Sequence, residues 1–216
     1  MALQIQIDPH AQLHVQAFVA RWRAPIGQLP PLAQVDSWLS SQLGSCTALP
    51  SPDAAVRAAI RDMLRSADFK PTGRAKPSSE YLARTSEGAG LRPINPAVDA
   101  GNAVSLHSGI PISVVDCDQL DGRLRIRMGA PDECYVFNAT GQVIELAGLV
   151  CLCDAQGPCA NAIKDAQRTK TSEDTRATLS VLWSSRALVA QTAAALDFYR
   201  SLLAGAAELE AVELVA

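Results

Sequence analysis

The chain opens with Leu3, Ile5 and Ile7 alternating with Gln4 and Gln6, the period-two pattern of a half-buried strand. Asp8-Pro9 turns the chain, and Val15–Trp22 reads as a second strand with Val15, Ala17 and Val19 on one side. Pro25–Pro31 is a linker, and Gln34–Leu43 reads as a helix. At Ser51-Pro52-Asp53 a cap, a first-turn proline and an acid announce another helix. Its apolar face is Val56, Ile60, Met63 and Leu64, and it runs to about Ser66. Ser78 caps a helix over Ser79–Glu87, which Gly88 and Gly90 end.

The strongest helix signal lies in the middle. Asn95 is a good N-cap, Pro96 suits the first helical position, Asp99 falls near the positive end of the dipole, and Gly109 with Pro111 marks the stop. These predict one helix over 96–108, with Asp99, Asn102 and Ser105 as a polar stripe that needs partners. Strands follow at Ile112–Val115, Arg123–Met128, Tyr135–Phe137, Val143–Leu146, Leu149–Cys153 and Thr178–Trp183, the last of the series. Arg123, Arg125 and Arg127 form the solvated face of theirs, with ion pairs. Ala187–Leu203 is a closing amphipathic helix, and the acidic tail after Gly205 is expected to fray. The expected fold is therefore α+β, one domain over residues 1–216, with a largely antiparallel or mixed sheet packed with helices.

Composition narrows the function. Hydrophobic residues make up 48% and charged residues 19%, as in a soluble globule. A net charge of −3 and a pI of about 5.6 exclude a footprint for gripping long duplex nucleic acid, so DNA is not an expected partner. No membrane span or signal peptide is read, and the 6 cysteines suggest reduced thiols in the cytoplasm. Cys151, Cys153 and Cys159 form a Cys-x-Cys-x5-Cys pattern. With Cys134, Cys117 or a histidine it would make a zinc site. The plainer alternative is small apolar packing, and a redox pair is a third. No cofactor is implied, and the chain has no Gly-rich phosphate loop, zinc metalloprotease helix or nucleophile elbow.

Several pieces, taken in order, resemble a known family. They are Pro77-Ser78-Ser79-Glu80, Gly90-Leu91-Arg92-Pro93-Ile94-Asn95-Pro96, Val98-Asp99 with Asn102, Val104-Ser105-Leu106, Gly109-Ile110-Pro111-Ile112, Asp116 with Asp118, and Leu120-Asp121-Gly122. Downstream come Arg168-Thr169-Lys170 and Glu173-Asp174-Thr175. Together, over roughly residues 70–185, they resemble the tRNA-binding and editing domain (B3/B4 module) of the phenylalanyl-tRNA synthetase beta subunit, and more closely its free-standing relatives.

The resemblance implies hydrolysis of the ester between a wrong amino acid and the terminal ribose of tRNA. It implies a pocket of polar side chains that positions water and an oxyanion without a metal or protein nucleophile. Asn102, Thr169 and Lys170 would be catalytic; Glu80, Asp99, Ser113, Gln167 and Arg168 would bind or orient the substrate. The partner would be a tRNA acceptor end or aminoacyl-tRNA, with recruitment by a synthetase. Three positions depart from the synthetase pattern: Gly101 stands where it has threonine, Ser113 where it has histidine, and Gln167 where it has a carboxylate. They argue against the same amino-acid specificity. The alternative reading is a non-catalytic module binding aminoacyl-tRNA or a free amino acid. From its residue types alone, Glu80 also reads as a plain first-turn charge, and the Arg-Thr-Lys run as an exposed basic turn.

Overall fold

The computed structural model describes residues 2–40, 46–65, 69–88 and 90–216. In chain order the elements are β1 (Leu3–Ile7), β2 (Leu13–Trp22), α1 (Ala33–Ser40), α2 (Ala54–Leu64), α3 (Ser78–Glu87), α4 (Pro96–Ser108), β3 (Ile112–Asp116), β4 (Leu124–Met128), β5 (Cys134–Val136), β6 (Val143–Glu145), β7 (Val150–Asp154), β8 (Gly157–Asn161), β9 (Ala177–Ser185), α5 (Val189–Leu203) and β10 (Ala207–Val215). The expected continuations of α1 to Leu43 and of α2 to Ser66 fall outside the described residues.

Among the described residues, eight strands form one mixed sheet in the order β3-β9-β2-β10-β1-β4-β7-β8, and β5 and β6 pair as a separate hairpin. β10 runs antiparallel to β2 and parallel to β1, and β1 runs parallel to β4. The fold is the α+β arrangement that the pattern predicts, with one large correction. The tail after Gly205 is not a fraying end, and Thr178–Trp183 is not the last strand: Ala207–Val215 lies between β2 and β1 in the middle of the sheet. β8 is a second strand that hydropathy did not reveal.

Both faces of the sheet are covered. Val15, Val19, Leu179, Val181 and Trp183 look into one core with Ile5, Ile126 and Leu152. Phe18, Ala20, Trp22, Val114 and Leu182 look into another, with α4 and α5. This explains why every residue of β9 is buried. α2 adds Val56, Ile60, Met63 and Leu64 to the first core, each contributing roughly 1.5–3 kcal/mol of burial. Its cap is Asp53 rather than Ser51: the carboxylate accepts from the Val56 amide at 2.9 Å. Ser78 likewise does not cap α3; it is the first helical residue, and its amide donates to Ala162 O at 2.9 Å.

α4 is the element on which the helices converge. Asn95 caps it, accepting from the Val98 amide at 3.0 Å, and Gly109 ends it at φ 74°. A Cβ on Gly109 would also lie 2.9 Å from Pro52 Cβ. α4 packs against α1, α3, α5 and β3, so only Val98 and Asn102, one turn apart, are partly open along it. The sheet also curls until its outer strands approach. The Ser113 hydroxyl of β3 reaches Asn161 O of β8 at 3.2 Å, and Lys170 forms a backbone bridge with Val115.

Candidate functional site

Two segments meet where the sheet curls shut. One is the start of α4, the other the loop from Asn161 to Thr175. Their link is a hydrogen bond from Asn95 Nδ2 to Thr171 Oγ1 at 3.0 Å. The far end of the loop is fixed by Thr175 Oγ1 donating to Asp116 Oδ2 at 2.6 Å. The linker before α1 crosses it, with the Gly27 amide donating to Glu173 O at 2.9 Å.

Within this frame the candidate residues separate. The Asn102 side chain forms no hydrogen bond among the described residues and sits in the open strip of α4. Asp99 points back instead: it accepts from the Ile94 amide at 2.8 and 3.1 Å and is 5% exposed. Thr169 is fully buried and donates to Cys159 O at 3.1 Å. The Arg168 guanidinium is taken up by Asp154 in a bidentate pair at 2.9 and 2.7 Å, and also donates to Gly157 O at 3.1 Å. Gln167 is exposed. Glu80 lies elsewhere, in a cleft between α2, α3 and the end of α4, where Arg61 holds both its oxygens at 2.6 and 2.5 Å.

Lys170 is exposed on the rim of the loop, with Nζ donating to Phe137 O at 2.5 Å. Lys164 Nζ sits 3.7 Å from the centre of the Phe137 ring. Burial lowers the Lys164 pKa, and the neighbouring charges of Arg74 and Lys170 lower it further. Lys164 thus covers the Phe137 ring, Lys170 holds the carbonyl of the same residue, and Arg74 lies near enough to act on Lys164, in a chain of net charge −3.

Beneath this rim lies a buried polar chain. Trp183 Nε1 donates to Ser113 Oγ at 2.9 Å, and Ser113 Oγ donates to Asp165 Oδ1 at 2.6 Å. Asn161 Nδ2 donates to the Tyr135 hydroxyl at 2.6 Å, and that hydroxyl donates to Lys164 O. Ser113 is fully buried, so it supports the site from behind. Burial pushes the Asp165 carboxyl up to about 6, against the pull of Ser113, the Asn161 amide and Lys170. Burial also lowers the Lys170 pKa, and Asp165 opposes that shift.

Sequence reasoning missed Arg74, Phe137, Lys164 and Asp165. The signal in hand was the Lys164-Asp165 pair, a cation and an anion set between apolar Ile163 and Ala166. The cysteines take the packing role. Cys151, Cys153 and Cys159 are free, buried thiols in the first core, and burial pushes Cys153 up to about 11 and the other two higher. Among the described residues no group of three His, Cys, Asp or Glu side chains is placed to hold a metal. The arginine row is largely paired: Arg125 with Asp8 at 2.6 Å and Arg127 with Glu133 at 2.6 Å.

Asp99 gives a pH test. Burial raises its carboxyl to about 6, with the Ile94 amide pulling down and Asp36 adding to the rise. A raised acid favours the folded state when protonated, so this contribution is full below the unfolded value near 3.8 and is lost as pH rises through about 6. Asp99→Asn keeps an acceptor for Ile94 and sheds the charge. It should therefore melt higher than the parent at pH 7.5, with the difference vanishing below about pH 4. Equal melting at both pH values would contradict it.

Comparison with known proteins follows the same boundaries. The model of the B3/4 domain family matches residues 69–202. The phenylalanine–tRNA ligase beta subunit of Bartonella henselae is 35% identical over 123 residues, covering 55% of this chain and 15% of that protein. That of Syntrophotalea carbinolica is 27% identical over 143 residues, covering 62% and 17%. The chain thus spans less than one fifth of the curated relatives it matches. Among solved structures, an N-terminal fragment of the phenylalanyl-tRNA synthetase beta subunit from Pyrococcus horikoshii aligns with a TM-score of 0.55 at 9% identity, covering 99% of this chain and 52% of that one. No described helix is long and apolar enough to cross a membrane.

Proposed function

The chain belongs to the B3/4 domain family, and on that premise we propose that it is a hydrolase of mischarged aminoacyl-tRNA, cleaving the ester between amino acid and terminal ribose. The observation that carries this reading is the meeting of Lys164 and Lys170 at Phe137, one over its ring and one at its carbonyl, with Arg74 acting on Lys164, beside the loop that Asn95 ties to α4. Neighbouring cations beside an aromatic residue suit the phosphate and unstacked base of a single-stranded RNA end. In this reading Lys164 and Arg74 hold phosphate. Lys170 supports the negative charge that develops on the ester carbonyl oxygen. Asn102, open and unbonded, orients the ester or its attacking water. Thr169, Arg168 and Ser113 act at one remove by fixing the loop. With a net charge of −3 the chain has little grip on the body of a tRNA, so a synthetase or another carrier supplies the rest.

A second reading, binding without turnover, is favoured by one fact: Arg168 and Thr169 are committed to Asp154 and Cys159, leaving few open polar groups. Charging a panel of tRNAs with correct and incorrect amino acids, and following ester loss, separates the two. Under the hydrolase reading, Lys170→Ala lowers the rate roughly 10²–10³-fold, as removal of one oxyanion donor does. Its stability should change by about 1 kcal/mol or less, because the side chain is exposed. Esters that persist across the panel while RNA binding is measurable would leave the binding module.

A further inference from the structure

Asp165 is the anion set against the cation cluster, and nothing in the catalytic reading uses it. Its position is tightly determined. Trp183 donates to Ser113, so the Ser113 hydroxyl proton is directed at Asp165 Oδ1, and the Asn161 amide approaches the same oxygen at 3.4 Å. Among the described residues no side chain donates to Oδ2; the Val114 amide also favours the carboxylate, and the residue as a whole is partly exposed although burial raises its carboxyl. Asp165 and Lys170 attract each other, yet they form no ion pair among the described residues. Asp165 and Lys170 thus act on each other electrostatically without a direct ion pair.

We propose that Asp165 binds the α-ammonium group of the aminoacyl ester, so that the site takes esters with a free amine and discriminates against N-acylated ones. This rests on the RNA-end reading above and names its substrate class. An aminoacyl ester on an RNA end is itself dipolar: its amine is largely cationic near neutral pH, and the nearest phosphate is anionic. Asp165 with Lys170, Lys164 and Arg74 mirrors that polarity. The other titratable groups coupled to Asp165 do not compete, because burial raises Tyr135 and Cys159 and keeps both neutral. Burial disfavours the ionised Asp165 carboxyl, and an ammonium beside it favours that charged form.

The test uses a short RNA 3′ end carrying an amide-linked amino acid, which cannot be hydrolysed, with the amine free or acetylated. Calorimetric affinities are compared for the parent chain and Asp165→Asn, which retains an acceptor for Ser113. Expected is a preference of roughly tenfold or more for the free amine, the worth of one charge-assisted hydrogen bond, abolished in Asp165→Asn when its melting temperature matches the parent. Equal binding of the two ligands, a preference that survives in Asp165→Asn, or binding of neither overturns the proposal. Where Asp165→Asn is unstable, the acetylation comparison on the parent chain decides alone. Ester hydrolysis is scored separately. Amine-selective binding without hydrolysis removes only the hydrolase reading, and hydrolysis indifferent to acetylation removes only this one.

Discussion

Arg168→Ala should lower the unfolding free energy by about 3 kcal/mol, the lower end of the range for leaving one member of a buried ion pair alone. The Asp154 side chain is 0% exposed, while the guanidinium facing it is 31% exposed and still reaches water. Asp154 also accepts from the amides of Asp121 at 3.1 Å and Gln156 at 2.9 Å, so it cannot swing out to solvent. Burial would raise its pKa; Arg168 and those amides reverse this and hold it below the usual carboxylate range. A depressed acid stabilises the fold above its unfolded value and loses that stabilisation as pH falls through its folded one. The difference between Arg168→Ala and parent, read by urea unfolding, should therefore be full at pH 7 and shrink below about pH 4. Parental stability combined with lost RNA binding would return Arg168 to direct substrate contact.

Gly101→Thr is the second large effect. A Cβ there would lie 2.9 Å from Val114 Cγ2 and 3.0 Å from the Tyr199 hydroxyl. The tyrosine is held in place. Tyr199 is 1% exposed, stands edge-on to Phe18, and its hydroxyl is bonded to Ser180 Oγ at 3.0 Å. Overpacking at such a site costs about 3 kcal/mol, a fall in melting temperature of roughly 6–12 °C for a domain of this size. Calorimetry on the folded variant checks it; an unchanged melting temperature would mean that α4 can shift off α5. The position where the family resemblance expects threonine is thus already filled, from the other side, by a tyrosine of α5.

What was readable along the chain was what is locally determined. α4 could be drawn to its last residue because Asn95, Pro96 and Gly109 act within a turn of themselves. β10 was missed because its acids mimic a solvated tail, and because its apolar phase slips. Leu209 and Ala211 share one parity, Val212 and Leu214 the other. The slip falls where the strand leaves β2 for β1, information held by its partners alone. The site divides in the same way. Lys170 and Asn102 were visible as polar types in a recognisable order. That Arg168 answers to Asp154, 14 residues earlier, depends on the β7–β8 hairpin. That Ser113 faces inward depends on β3 being covered on both sides, and Asp165 lies in a loop with no periodicity to mark it.

The central place of β10 also sets a timetable. Leu3 is in register with Val212 and Ala20 with Leu209, so β1 and β2 have nothing between them until residues 207–215 exist. At ribosomal speeds of about 5–20 residues per second, those two strands wait on the order of 10–40 s with bare edges. Such edges recruit strands from neighbouring chains. Whatever this protein does once folded, its birth is the interval in which a holding chaperone has the most to protect.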